Sequence, residues 1–165
     1  MEFGKLNVID NKELYHVHVI CPDQKRWKAG DVISTFDFPN REYDIETQFW
    51  KFDRERKFEI IRESKYSEFP SRNKCLFAIN LEYLDFWEKE LQKGRCSLTQ
   101  IAKIQLIEGK WIQLDDTFFD KNEEVSNEEL ADGFWSGDDF MEDVKPVILF
   151  EGKFIVTEIL KENTR

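Results

Sequence analysis

The stretch Leu14-Tyr15-His16-Val17-His18-Val19-Ile20 holds both histidines of the chain, two residues apart within one short apolar run. Read as a β-strand, it alternates its side chains between two faces, so both imidazoles point one way, about 6–7 Å apart along the backbone. Tyr15, Val17 and Val19 then point the other way. A buried imidazole without a partner is costly, so two polar rings on one side of an apolar strand require a reason. Histidine is also the side chain most readily tuned for acid–base or hydrogen-bond work near neutral pH. The search for a functional site therefore starts at this strand.

The rest of the chain is compatible with one domain over residues 1–165, with 1–12 and 161–165 read as flexible ends. Hydrophobic residues make up 41% and aromatics 15%, with 15 Phe and 5 Trp, enough for an aromatic core despite 35% charged residues. A formal net charge of −10 argues against non-specific nucleic-acid binding, which relies on a cationic surface. Lys25-Arg26-Trp27-Lys28 is a local basic cluster whose simplest reading is a solvated loop, while the acidic stretch from Asp115 to Asp143 suits a basic partner. Cys21, Cys75 and Cys96 show no Cys-x-x-Cys spacing, and no secretion signal or membrane-length apolar run is visible. These features predict a cytoplasmic protein with free thiols and no membrane association.

The order of elements is mixed, which predicts an α+β fold. After the histidine strand, Asp31 to Phe36 reads as a second strand and Arg54 to Tyr66 as a helix, with Phe38 to Asp53 lacking one clean period. Lys74 to Ile79 reads as a short buried strand, and Asn80 as the N-cap of a helix in which Leu81, Leu84, Trp87 and Leu91 form a stripe, stopped by Gly94. Thr99 to Asp115 resembles a β-hairpin turning at Glu108-Gly109. Ser126-Asn127-Glu128-Glu129 has the capping-box pattern for a helix carrying Leu130, Phe134 and Trp135. Val147 to Phe150 and Lys153 to Ile159 flank Glu151-Gly152 as two strands or one bent strand. No glycine-rich loop follows a strand, which disfavours a doubly wound nucleotide fold.

Three chemistries can be read on these residues. His16 and His18 can supply two metal ligands, but a catalytic metal ordinarily takes a third, and none stands at a recognisable spacing. Cys21 lies just beyond the histidines, but a Cys–His pair would need the loop after Pro22 to fold back, and Cys75 reads as a small buried hydrophobe. With 34 acids, paired carboxylates carry no signal by themselves.

A longer-range set combines Tyr15-His16, Pro70-Ser71-Arg72 ahead of Cys75-Leu76-Phe77, and Glu151 in Leu149-Phe150-Glu151-Gly152-Lys153-Phe154. Leu14-Tyr15-His16 resembles the first-strand motif of the ADP-ribosyltransferase superfamily. Together with Trp27 to Ile33, the Trp87 helix and Gly109-Lys110-Trp111, these segments resemble an uncharacterised bacterial family placed near that superfamily. The resemblance implies a split β-sheet sandwich with peripheral helices and NAD as cofactor in the cleft. It implies that Tyr15 and His16 belong to the cofactor site, His16 bonding the adenosine-side ribose, with Ser71 supporting the nicotinamide end and Arg72 clamping the diphosphate. Glu151 would stabilise the oxocarbenium-like charge as nicotinamide leaves. The sequence departs from the pattern at Val147, where the superfamily's glutamate is expected; Glu151 stands four residues on.

Two readings follow from the resemblance. In the first, the protein transfers ADP-ribose from NAD to a macromolecular acceptor, protein or nucleic acid, the acidic surface favouring a protein or a small ligand. In the second, it is a non-catalytic binding protein on the same fold whose acidic segment meets a basic partner. Relatives of this fold commonly act as toxins or in phage defence, an analogy between folds. A metal-dependent hydrolase built on His16 and His18 is a third, separate reading.

Overall fold

A computed structural model describes residues 3–8, 11–20, 24–39, 45–92, 98–117, 126–137 and 144–164. The first strand, β1, is Asn7–Val8, and the histidine run is β2, Glu13–Ile20. Then follow β3 (Val32–Ser34), α1 (Ile45–Lys65), β4 (Leu76–Ala78) and α2 (Leu84–Gln92). The chain closes with β5 (Leu98–Asp115), α3 (Asn127–Ser136) and β6 (Pro146–Thr164). The fold is α+β, one antiparallel sheet with helices against it.

The two longest strands organise the sheet. β5 and β6 pair along their full lengths, Leu98 opposite Thr164 and Asp115 opposite Pro146. The far edge of β5 takes β2 along Leu98–Gln105 and β1 at Lys110 and Trp111. On the far edge of β6, β4 pairs at Ile148–Phe150 and β3 at Lys153–Ile155. Register shifts between Ile101 and Glu108 increase the local twist, as β-bulges do, and the sheet curls. Its flanks meet at one bridge: Tyr15 N donates to Ile79 O at 2.9 Å, and Ile79 N to Tyr15 O at 2.8 Å.

Curling gives the sheet two distinct apolar faces. The inner one gathers Leu14 of β2 and Leu76 of β4 with Ala102, Ile104 and Leu106 of β5 and Phe150, Phe154 and Val156 of β6. The outer one meets the helices through Val17, Ile101, Ile112, Leu114 and Leu149, against Phe58 of α1, Trp87 of α2 and Phe134 and Trp135 of α3. Two buried indoles also fix this layer by hydrogen bonds, Trp87 Nε1 to Pro146 O at 2.8 Å and Trp135 Nε1 to Phe58 O at 2.9 Å.

Local sequence signals explain several elements. Ser126 Oγ accepts from Glu129 N at 3.2 Å, the expected cap, and α3 buries Leu130, Phe134 and Trp135. In α2 the expected stripe buries Leu84 and Trp87, but Leu81 lies outside it in a 3₁₀ turn and is 65% exposed. Asn80 precedes that turn and gives no side-chain cap. Helix α1 begins nine residues before the expected Arg54, with non-helical torsions at Gln48. Its early turns leave Phe49 and Phe52 exposed, so no buried stripe marks them in the sequence. Both expected flexible ends carry strand pairing, through β1 and through residues 161–164 of β6. Gly94, Cys21 and Cys96 lie outside the described residues, as do residues 118–125 and 138–143 of the Asp115–Asp143 stretch.

The expected hairpin at Glu108-Gly109 is absent: β5 runs straight through it as one strand. Likewise β6 is one strand through Glu151-Gly152. The two glycines are partners in register, with φ of 129° and 147°. A Cβ on Gly109 would sit 2.8 Å from Gly152 Cα and overlap the Glu151 carbonyl; one on Gly152 would sit 2.8 Å from Gly109 Cα and overlap the Glu108 carbonyl. Gly109→Ala and Gly152→Ala are each expected to lower the unfolding free energy by about 3 kcal/mol or more, measured by urea denaturation. A loss under about 1 kcal/mol in both would mean that the strands do not approach this closely.

Candidate functional site

Strand β2 behaves as its alternation requires. Leu14 belongs to the inner core and Val17 to the helix-facing core, with Tyr15 and Val19 packed beside Val17. His16 and His18 share the inner side, their ring centroids 6.0 Å apart. His16 Nδ1 donates to Phe77 O of β4 at 2.8 Å, beside the bridge that closes the sheet. His18 Nε2 donates to Lys25 O at 3.0 Å. With those protons assigned by their carbonyl partners, His16 Nε2 and His18 Nδ1 are acceptors in the neutral rings. Burial pushes the His16 pKa down to about 3, against the pull of the Phe77 carbonyl and helped by His18. Burial also lowers that of His18, opposed by the Lys25 carbonyl.

A strap of residues 24–30 crosses this face. Trp27 stacks on His18 with centroids 4.0 Å apart and planes 10° apart, and lies 5.1 Å from His16 at 28°. Phe154 approaches its ring at 5.5 Å. The strap is held from below by Gln100, only 2% exposed. Its Oε1 accepts from Trp27 N at 2.8 Å, and its Nε2 donates to Trp27 O at 3.0 Å and to Glu162 Oε1 at 2.9 Å. Gln100 lies opposite His18 on one side and Glu162 on the other, so His18, Gln100 and Glu162 form one row across β2, β5 and β6. Arg26 Nη1 approaches Glu162 Oε2 at 3.6 Å. Lys25, Arg26 and Lys28 are exposed around Trp27.

The other expected site residues lie elsewhere. Ser71 caps a 3₁₀ turn over Arg72–Lys74, accepting from Asn73 N at 3.1 Å and donating to Glu59 Oε2 at 2.9 Å. Arg72 is 5% exposed and ion-paired with Glu55 at 3.2 Å and Asp116 at 2.9 Å. Phe58, Phe77 and Phe134 surround its guanidinium at 5.1–5.9 Å. Burial opposes the Arg72 charge, yet the two carboxylates more than restore it and its pKa is raised. Glu151 pairs with Lys110 at 3.4 Å, and Lys110 Nζ also donates to Glu68 O beyond α1. Glu151 therefore continues the Val147–Leu149 row on the helix side, whereas His16 belongs to the inner side. The fold brings Ser71 and Arg72 to successive carboxylates of α1 but sets His16 apart from Glu151.

Gln100 and Glu162 were missed in the sequence. The available signal was a buried-face glutamine in step with Ala102, Ile104 and Leu106. Cys75 is buried as expected, its Sγ 3.8 Å from Arg72 O. Among the described residues no cluster of three or more His, Cys, Asp or Glu is arranged to hold a metal, and no helix is long and apolar enough to cross a membrane.

The molecule is thus an α+β protein with a curled antiparallel sheet, helices outside it and an aromatic histidine site on the inner side. Residues 31–162 match a family described as protein of unknown function, DUF2441, and the chain belongs to that family. β2 and Trp27 precede the matched segment, while Gln100 and Glu162 fall within it. No curated protein matches the chain.

Two expected outcomes test this geometry. Because the folded His16 pKa lies below the ordinary 6.5, the unfolded chain binds the proton first, and stability falls as pH drops below 6.5 toward 3. Between pH 7 and 5 His16 accounts for up to about 2 kcal/mol of that fall, so urea denaturation of His16→Asn should show a shallower decline than wild type. Arg72→Leu, which removes the cation held between Glu55 and Asp116, should lower stability by about 3–5 kcal/mol in the same assay. An Arg72→Leu protein as stable as wild type would mean that the guanidinium is not part of the helix–sheet joint.

Proposed function

We propose that this protein binds NAD on the His16–His18 face, as a member of the ADP-ribosyltransferase-like class. The observation that carries the reading is a pair of neutral imidazoles that already holds a planar ring, the Trp27 indole, bordered by Lys25, Arg26 and Lys28, in a chain of net charge −10. Aromatic faces suit a planar base or nicotinamide ring, and the local cations suit phosphates that the rest of the surface would repel. The acceptor nitrogen of His16 suits a ribose hydroxyl, because burial keeps the ring neutral across the physiological range.

A second reading, binding without ADP-ribose transfer, is favoured by one specific observation. Glu151 is engaged by Lys110 on the side of the sheet away from His16, where it cannot face a ligand lying on the imidazoles. Docking of a basic partner has less support. Of the acidic stretch, Asp116 pairs with Arg72, Glu128 with Lys57 and Asp132 with Lys65, so these carboxylates serve internal contacts.

Calorimetry of wild type beside His16→Ala tests the proposal, with thermal unfolding of both to confirm folding. Saturable NAD binding is expected in wild type, weakened at least about tenfold in the variant, the loss of one hydrogen bond in a shielded site. Glu151→Gln should leave the affinity unchanged. No binding at millimolar NAD, or equal affinity in wild type and His16→Ala, would overturn the reading.

A further inference from the structure

The geometry points to residues 24–30 as a gate: Trp27 occupies the imidazole face when no ligand is present and swings off it to admit a planar, phosphate-bearing ligand. The inference rests on the reading of this face as a nucleotide site. Stacked at 4.0 Å on His18, the indole takes the surface on which a base would lie, and two rings cannot share it. The ligand must displace Trp27.

The attachments of the strap suit opening. Apart from Trp27, residues 24–30 are exposed, so the indole, packed against the inner core, is the apolar anchor of the strap. The polar clamp on the strap is the Gln100 amide, which bonds the Trp27 backbone as a neighbouring strand would, together with the His18 Nε2 bond to Lys25 O. Water or a ligand amide can replace such polar bonds. Next to it, the Arg26–Glu162 pair is long at 3.6 Å and solvent-accessible, so salt weakens it. The C-terminal end is anchored differently. Gly30 N donates to Val156 O at 2.7 Å and Val156 N to Asp31 O at 2.9 Å, which fixes the pivot on β6. Lys25, Arg26 and Lys28 travel with the indole, so the same motion that clears the rings places cations beside an entering phosphate.

His16 and His18 are the only histidines in the chain, so carbethoxylation by diethyl pyrocarbonate, followed at 240 nm on tag-free protein at pH 7, reports on this face alone. Slow modification is expected in wild type, accelerated by sodium chloride, and at least about fivefold faster in Gln100→Leu, which releases the clamp but keeps the indole. Circular dichroism establishes that the variant is folded. Equal rates in wild type and Gln100→Leu, or wild-type histidines as reactive as those of urea-unfolded chain, would overturn the gate. Trp27→Ala separates a gate from a stacking platform: tighter NAD binding than wild type supports the gate, and weaker binding overturns it. Clamp-dependent modification that millimolar NAD does not slow would support the gate while overturning NAD as its ligand.

Discussion

The structure depends on the place where β5 and β6 cross with no side chain on either. Gly109 and Gly152 face each other in register, each backbone occupying the space where a Cβ of the other would stand. Around this contact two strands of 18 and 19 residues remain paired end to end while the sheet bends. Because the sheet bends, β2 and β4, which flank opposite sides of the β5–β6 pair, come within reach of one another. The Tyr15–Ile79 bridge then closes the seam, and the His16 imidazole adds its Nδ1 bond to the Phe77 carbonyl. The imidazole thus has a structural task beside any binding one, and neutrality suits both: charging a ring buried at the seam would cost it its hydration.

The same curl sorts the chemistry of the molecule onto two sides. On the helix side, charge is paired internally. Arg72 joins α1 to the end of β5 through Glu55 and Asp116, Glu59 holds Ser71 and Arg62, and Lys57 and Lys65 tie α1 to α3. Desolvation makes the buried Arg72 pairs poor net stabilisers against apolar packing, but it makes them costly to break, so they fix the register of helix against sheet. Around the histidine face the polar groups described are two imidazoles, one amide and an accessible Arg26–Glu162 pair at the rim. A ligand meets fewer committed charges there.

What was legible in the sequence was local. The alternation in Leu14–Ile20 placed both histidines on one face, and Ser126 announced α3 through its hydrogen bond to Glu129. Glu108-Gly109 misled for the same reason that it is informative, whereas the reading of Glu151-Gly152 leaves room for the single strand found. A glycine after a polar residue between apolar runs is a turn signal, and here each glycine answers instead to the other, far away in sequence. Arg72 beside Ser71 reads as a free cation until Glu55 and Asp116 are brought to it by tertiary packing. Gln100 carried a faint signal as a polar residue on the apolar face of β5, but its meaning lies in Trp27 and Glu162, which no local pattern connects to it.

The separation of His16 from Glu151 bears on which chemistry this face can support. Stabilising an oxocarbenium-like transition state requires a carboxylate directed at the carbon where positive charge develops, and electrostatic catalysis falls away when the group faces elsewhere. Binding has weaker demands: ring faces, an acceptor for a hydroxyl and cations near the phosphates, all of which the inner side and its strap supply. A carboxylate tied to that side is Glu162, already engaged by Gln100 and Arg26. Any movement that lifts Trp27 must also disturb the Gln100 amide and with it the bond to Glu162, because one side chain holds both. The state of the strap and the environment of that carboxylate are therefore coupled through a single buried glutamine.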